Sequence, residues 1–118
     1  MQRERLYSYN KVVNPTFSVF KDSVAIPSRV KTITQVCAYI SNGDNHSCRG
    51  FLSLNNENTN EQIVNTIRIA NDKHHYNYKA IRVRCKPQGS NMNFVMSMSN
   101  VDKTQECRLV ILFKYLEE

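Results

Sequence analysis

The stretch KAIRVRCK, residues 79–86, sets Arg82, Arg84 and Lys86 on alternate positions with Ile81, Val83 and Cys85 between them. In an extended strand such cations share one face at a spacing of roughly 6.6 to 7 Å. That is close to the step between neighbouring phosphates of an extended single-stranded nucleic acid. Tyr76 and Tyr78 have the same parity, so one stripe would combine positive charge with rings on which bases can stack. The plainer reading is the wet face of a half-buried strand, where Arg and Lys stems cover apolar neighbours. It outweighs the first, because no aromatic RNP-like motif, GXXG clamp or zinc finger accompanies the row.

Three histidines, His46, His74 and His75, with Lys73, carry the groups an acid–base cleavage of RNA would use, since imidazole both donates and accepts a proton near neutrality. Their spacing does not bring them together: adjacent His74 and His75 point to opposite sides of a strand. No nucleophile elbow, zinc-protease helix or paired carboxylate appears. A histidine-dependent nuclease therefore ranks last, and the chain is expected to bind rather than catalyse.

Cys37, Cys48, Cys85 and Cys107 form no C-x-x-C pair, which removes zinc knuckles and thioredoxin-like chemistry. Ser41-Asn42-Gly43-Asp44 carries the strongest short hairpin signal. A two-residue turn there sets Cys37 opposite Cys48 in a hydrogen-bonded pair, a geometry with diverging side chains that is less suited to a bridge. Buried, reduced thiols are the expectation, and whether any of the four join in a disulfide stays open. His46 and Cys48 share a strand face, but nothing in the spacing demands a metal. Gly43, Gly50 and Gly89 are the only glycines, so no phosphate-cradling loop of P-loop or dinucleotide type can be built. Neither cofactor nor metal is expected.

These residues need elements to position them. The 118 residues suit one domain with a sizeable core. Sixteen Lys and Arg against ten Asp and Glu give +6, which favours anionic partners without bearing on the fold. Residues 1–15 read as a flexible basic arm, with Arg3, Arg5, Tyr7, Tyr9 and Lys11 on one parity before Asn14-Pro15. Arg3 and Arg5 join the candidate nucleic-acid contacts. The opening residues lack the apolar run of a signal peptide, and no run approaches the roughly twenty residues of a membrane span. An intracellular or virion location without membrane contact follows as the expectation.

Residues 16–118 read as a single β domain. Short β-prone pieces at 16–21 and 23–26 stop at Pro27. Val36, Ala38 and Ile40 alternate with Gln35 and Tyr39, Leu52 and Leu54 oppose Arg49, and Phe94, Met96 and Met98 share a side. Residues 60–70 stay open between a strand, which their parity and β-branching favour, and one short helix, for which Thr59 to Gln62 supply capping-box spacing. Cys107 to Leu116 is apolar on both parities. Such a strand lies centrally, or a partner covers Val110, Leu112 and Leu116. The pattern predicts an all-β protein, an antiparallel β-sandwich or small barrel of about six to seven strands. The function it supports is a self-associating structural or assembly subunit, coat- or scaffold-like, with a basic face. The alternative is a single-stranded nucleic-acid-binding module using the stripe from Tyr76 to Lys86.

Overall fold

The computed structural model describes residues 3–45, 47–71 and 80–117, of which 65–71 are described as backbone alone. These residues form eight strands and no helix: β1 (Arg3–Val13), β2 (Val19–Val24), β3 (Thr32–Ser41), β4 (Arg49–Asn56), β5 (Gln62–Asn71), β6 (Ile81–Cys85), β7 (Met92–Ser99) and β8 (Cys107–Glu117). Antiparallel ladders join β1 to β8, β2 to β7, β3 to β6 and β4 to β5. Two more, β8 with β3 and β7 with β4, gather these ribbons into two sheets. Sheet A runs β1-β8-β3-β6 and sheet B runs β2-β7-β4-β5. First strand pairs with last, second with next to last, and so inward. This is the order of a jelly roll, in which two four-stranded sheets pack face to face.

Period-two patterning makes the layers. Met92, Phe94, Met96 and Met98 of β7 are buried in strict alternation with exposed neighbours, and they meet Leu52 and Leu54 of β4 and Leu109, Ile111 and Phe113 of β8 in one apolar core. The ring of Phe94 lies 5.4 Å from that of Tyr9, edge on, and 5.9 Å from that of Phe20. At β3 the register slips between Ile33 and Gln35. The bulge lets Ile33 enter the core together with Val36, Ala38 and Ile40, which simple alternation forbids.

The structure decides three expectations. The basic arm is a strand: residues 3–13 pair with β8 from Arg3 opposite Glu117 to Val13 opposite Cys107. This is why the strands exceed the six to seven expected. Strand β8, apolar on both parities, lies between β1 and β3 in sheet A, with Leu109, Ile111, Phe113 and Tyr115 in the core. Second, the choice left open at residues 60–70 closes on the favoured strand, which runs over residues 62–71. The hydroxyl of Thr59 accepts from the Glu61 N–H at 3.2 Å in a tight turn, with Asn60 in the left-handed region at φ 57°. The last residues of β5 also pair in parallel with Tyr39 and Ile40 of β3, bridging the sheets at one corner.

Third, Asn42-Gly43 makes no hairpin. It carries the chain from sheet A to sheet B, so Cys37 and Cys48 lie in or next to strands of different sheets, and all four cysteines are free and buried. The Asn42 side chain is 0% exposed. Its amide nitrogen lies 3.1 to 3.3 Å from the carbonyl oxygens of Asp102, Gln105 and Glu106, and its oxygen accepts from the Asp102 N–H at 2.7 Å. Gly43 takes φ 57°, and a Cβ there would run into the Gln105 side chain. The turn residues are present, but they fasten two loops at one end of the sandwich.

Candidate interaction surfaces

Strand β6 lies at the edge of sheet A, on the open side of β3. Ile81 and Val83 pack against the core and Cys85 is buried, while Arg82, Arg84 and Lys86 are exposed. The basic row is therefore extended and outward over its described part. None of the three makes an ion pair among the described residues. Tyr76 and Tyr78, expected to extend the stripe, lie outside the described residues, as do His46, Lys73, His74 and His75.

Beside the row a groove of about 780 Å³ opens between the start of β3 and the turn after β6. Arg84 and Lys86 line it together with Lys31, and no carboxylate among the described residues does. The polar part of the lining includes Ser28, Thr32 and Gln88, and the apolar part is Val30, Val83 and Leu116. Lys31 has no counterpart in the sequence pattern. It precedes β3 and reaches this place because its N–H bonds the Leu116 carbonyl at 3.1 Å, tying the loop to the end of β8.

Arg3 and Arg5 do not join this surface. They lie on β1, at the opposite edge of sheet A, and on the parity that turns toward sheet B. That flank is occupied within the chain. Arg5 pairs with Glu117 at 3.3 Å, Tyr7 donates to the Ala25 carbonyl at 2.9 Å, and Tyr9 donates to Asp22 at 2.7 Å. Lys11 adds a second contact to Asp22 at 3.5 Å. Burial and then the neighbouring carboxylate push the Tyr9 phenol well above its ordinary range. The same phenol, followed by the Ser23 N–H, holds the Asp22 carboxyl below its ordinary range. The odd residues of β1 thus close the sandwich along the β1/β2 edge.

Val110, Leu112 and Leu116 all point away from the core of the sandwich, yet they form no single patch. Val110 is 6% exposed, Leu112 is half-buried on the outer face of sheet A, and Leu116 lines the groove. Cys37, opposite Leu112, is also shielded there, and burial pushes its thiol up to about 11.

The clearest exposed apolar cluster lies on the other sheet. In the outer face of sheet B, Val19 of β2 and Phe51 of β4 flank Ser97 of β7 in one row, and Val95 is diagonal to both. Val19 and Phe51 are each 50% exposed and Val95 is 38% exposed. Ser53 and Lys21 stand on either side of Val95, Arg49 and Ser99 form the next row, and the register sets Arg68 of β5 opposite Phe51. Each apolar member sits on the wet parity of its strand, and that violation of alternation was the signal available in the sequence.

No family model and no curated protein matches the chain. The mitogen derived from Yersinia pseudotuberculosis shares the fold, with a TM-score of 0.54 at 10% identity over 92% of this chain and 85% of that one. The chain is also similar to a protein of the Bacillus endospore appendages, which form disulfide-linked pili (TM-score 0.47, 7% identity, 99% and 89% covered). A further similar structure comes from the capsid of Helicobacter pylori bacteriophage KHP30 (TM-score 0.46, 12% identity, 100% and 95% covered). Identities this low speak to fold alone. No helix among the described residues is long and apolar enough to cross a membrane.

Proposed function

We propose that the chain is a non-catalytic structural subunit that associates with further copies of itself, inside a cell or in a virion, through the outer face of sheet B. The observation that carries this reading is the exposed cluster of Val19, Phe51 and Val95. Aromatic and arginine residues beside apolar neighbours are enriched in protein interfaces, and contiguous apolar surface on a folded domain marks a contact site. Four strands of about eight residues span roughly 19 by 26 Å, on the order of 500 Å² a side. Two such faces reach about the 1,000 Å² that a specific interface requires.

Size-exclusion chromatography with light scattering, run over a concentration series, tests this. The wild type is expected above monomer mass and Phe51→Ser at monomer mass with an unchanged circular dichroism spectrum. A wild type that stays monomeric throughout, or a Phe51→Ser variant that associates as before, removes the proposal.

The outward cations of β6 support a second reading, contact with a polyanion. Arg82, Arg84 and Lys86 are exposed with no carboxylate partner among the described residues, and charges left free on one edge favour a phosphate-bearing ligand. Binding of a labelled oligonucleotide that weakens steeply with salt supports this reading, and no binding at low salt removes it.

A further inference from the structure

We infer that the seat of that polyanion is the groove beside β6, not the flat face of the sheet, and that the ligand it takes is the phosphodiester backbone of a single-stranded nucleic acid. The inference rests on the second reading above and adds to it a place, a new contact residue and a ligand class. Lys31, Arg84 and Lys86 come from two separate stretches of chain and line one concavity with no carboxylate among the described residues. A concave cationic site holds its counter-charge more strongly than a flat one, because low-dielectric walls focus the field.

The rest of the lining decides the ligand. Val30, Val83 and Leu116 offer apolar surface beside the cations, which suits sugars and unstacked bases following a charged backbone. Duplex DNA keeps its base faces stacked inside a rigid cylinder, so it gains less from that surface. A sulfated glycan is uniformly polar and leaves the same residues uncovered. Hydroxyls of Ser28 and Thr32 lie in the same lining, where they can meet phosphate or sugar oxygens. Arg82 lies on the same strand as Arg84 but does not line the groove, so the two locations can be separated by mutation.

The experiment is a fluorescence-anisotropy titration of the full chain with a labelled oligothymidylate of about twelve nucleotides. With three phosphates neutralised by Lys31, Arg84 and Lys86, affinity should fall about 20-fold between about 50 and 200 mM salt. Arg84→Ser with Lys86→Ser should remove two contacts and reduce that fall to about 3-fold. Lys31→Ser should weaken binding, and so should Ser28→Glu, which places a carboxylate in the groove from an exposed loop position. Lys103→Ser, a surface cation outside the groove lining, is expected to leave affinity unchanged. Thermal melts of each variant confirm the fold. If Arg82→Ser weakens binding while Lys31→Ser and Ser28→Glu do not, the groove is overturned and the polyanion reading stands. If nothing binds, both fall. If the matching duplex or heparin binds more tightly than the single strand, the ligand class is overturned.

Discussion

Two side chains show how single residues hold this fold. Asn42 is an amide sealed between loops, and its removal takes a donor from three carbonyls and an acceptor from the Asp102 N–H and the Asn45 amide. Unsatisfied buried groups cost more than the bonds themselves contribute, so Asn42→Ala should lose about 3 kcal/mol, read as a lower urea midpoint. Asn42→Asp should do no better, since it turns a donor into an acceptor facing carbonyl oxygens. Asp22 gives a pH dependence of known sign. Its carboxyl is held below the ordinary range, first by the Tyr9 phenol, so its contribution is present above about pH 4 and is lost as pH falls through the lower folded value. Asp22→Asn should flatten that acid limb of the melting-temperature profile. At neutral pH it should cost about 1 kcal/mol, the modest figure appropriate to a partly solvated pair. Asn42 was legible in the sequence as a turn residue, but its partners sixty residues away were not.

At the scale of elements, β1 is the instructive strand. Its odd residues read as a free basic flank because Arg3, Arg5 and Lys11 share their parity with two tyrosines. In the fold the tyrosines reach across to sheet B, Arg5 finds Glu117 and Lys11 finds Asp22. A flexible arm could be cut away without consequence. Deletion of residues 1–13 should instead uncover β8 and remove Tyr7, Tyr9 and Val13 from the core. At about 1.5 to 3 kcal/mol for each large apolar side chain, the loss is about 5 kcal/mol, comparable with the whole stability of a small domain. The truncated chain is expected to be insoluble or unfolded by circular dichroism, and a cooperative melt near the wild-type temperature would contradict the integration of β1. Strand β8 shows the reverse case. Its double apolarity was legible, and so was the choice it posed between a central position and a covered one. The fold buries its odd residues in the core and leaves Val110, Leu112 and Leu116 on the outer face.

For the whole molecule, association and polyanion contact are assigned to different regions, the outer face of sheet B and the β6 edge of sheet A, so neither excludes the other. What the sequence determined by itself was the period-two alternation of nearly every strand, hence an all-β sandwich, and the outward row of Arg82 and Arg84. Alternation is a local property, and a local pattern suffices to say which side of a strand is wet. Strand order, the crossing at Asn42-Gly43, the place of Lys31 in the groove and the meeting of Val19, Val95 and Phe51 were decided by the tertiary structure alone. Each joins residues far apart in the chain, and a jelly roll pairs its first strand with its last. No neighbouring residue records which distant strand will lie beside it, because that choice is made by the joint burial of all eight apolar faces.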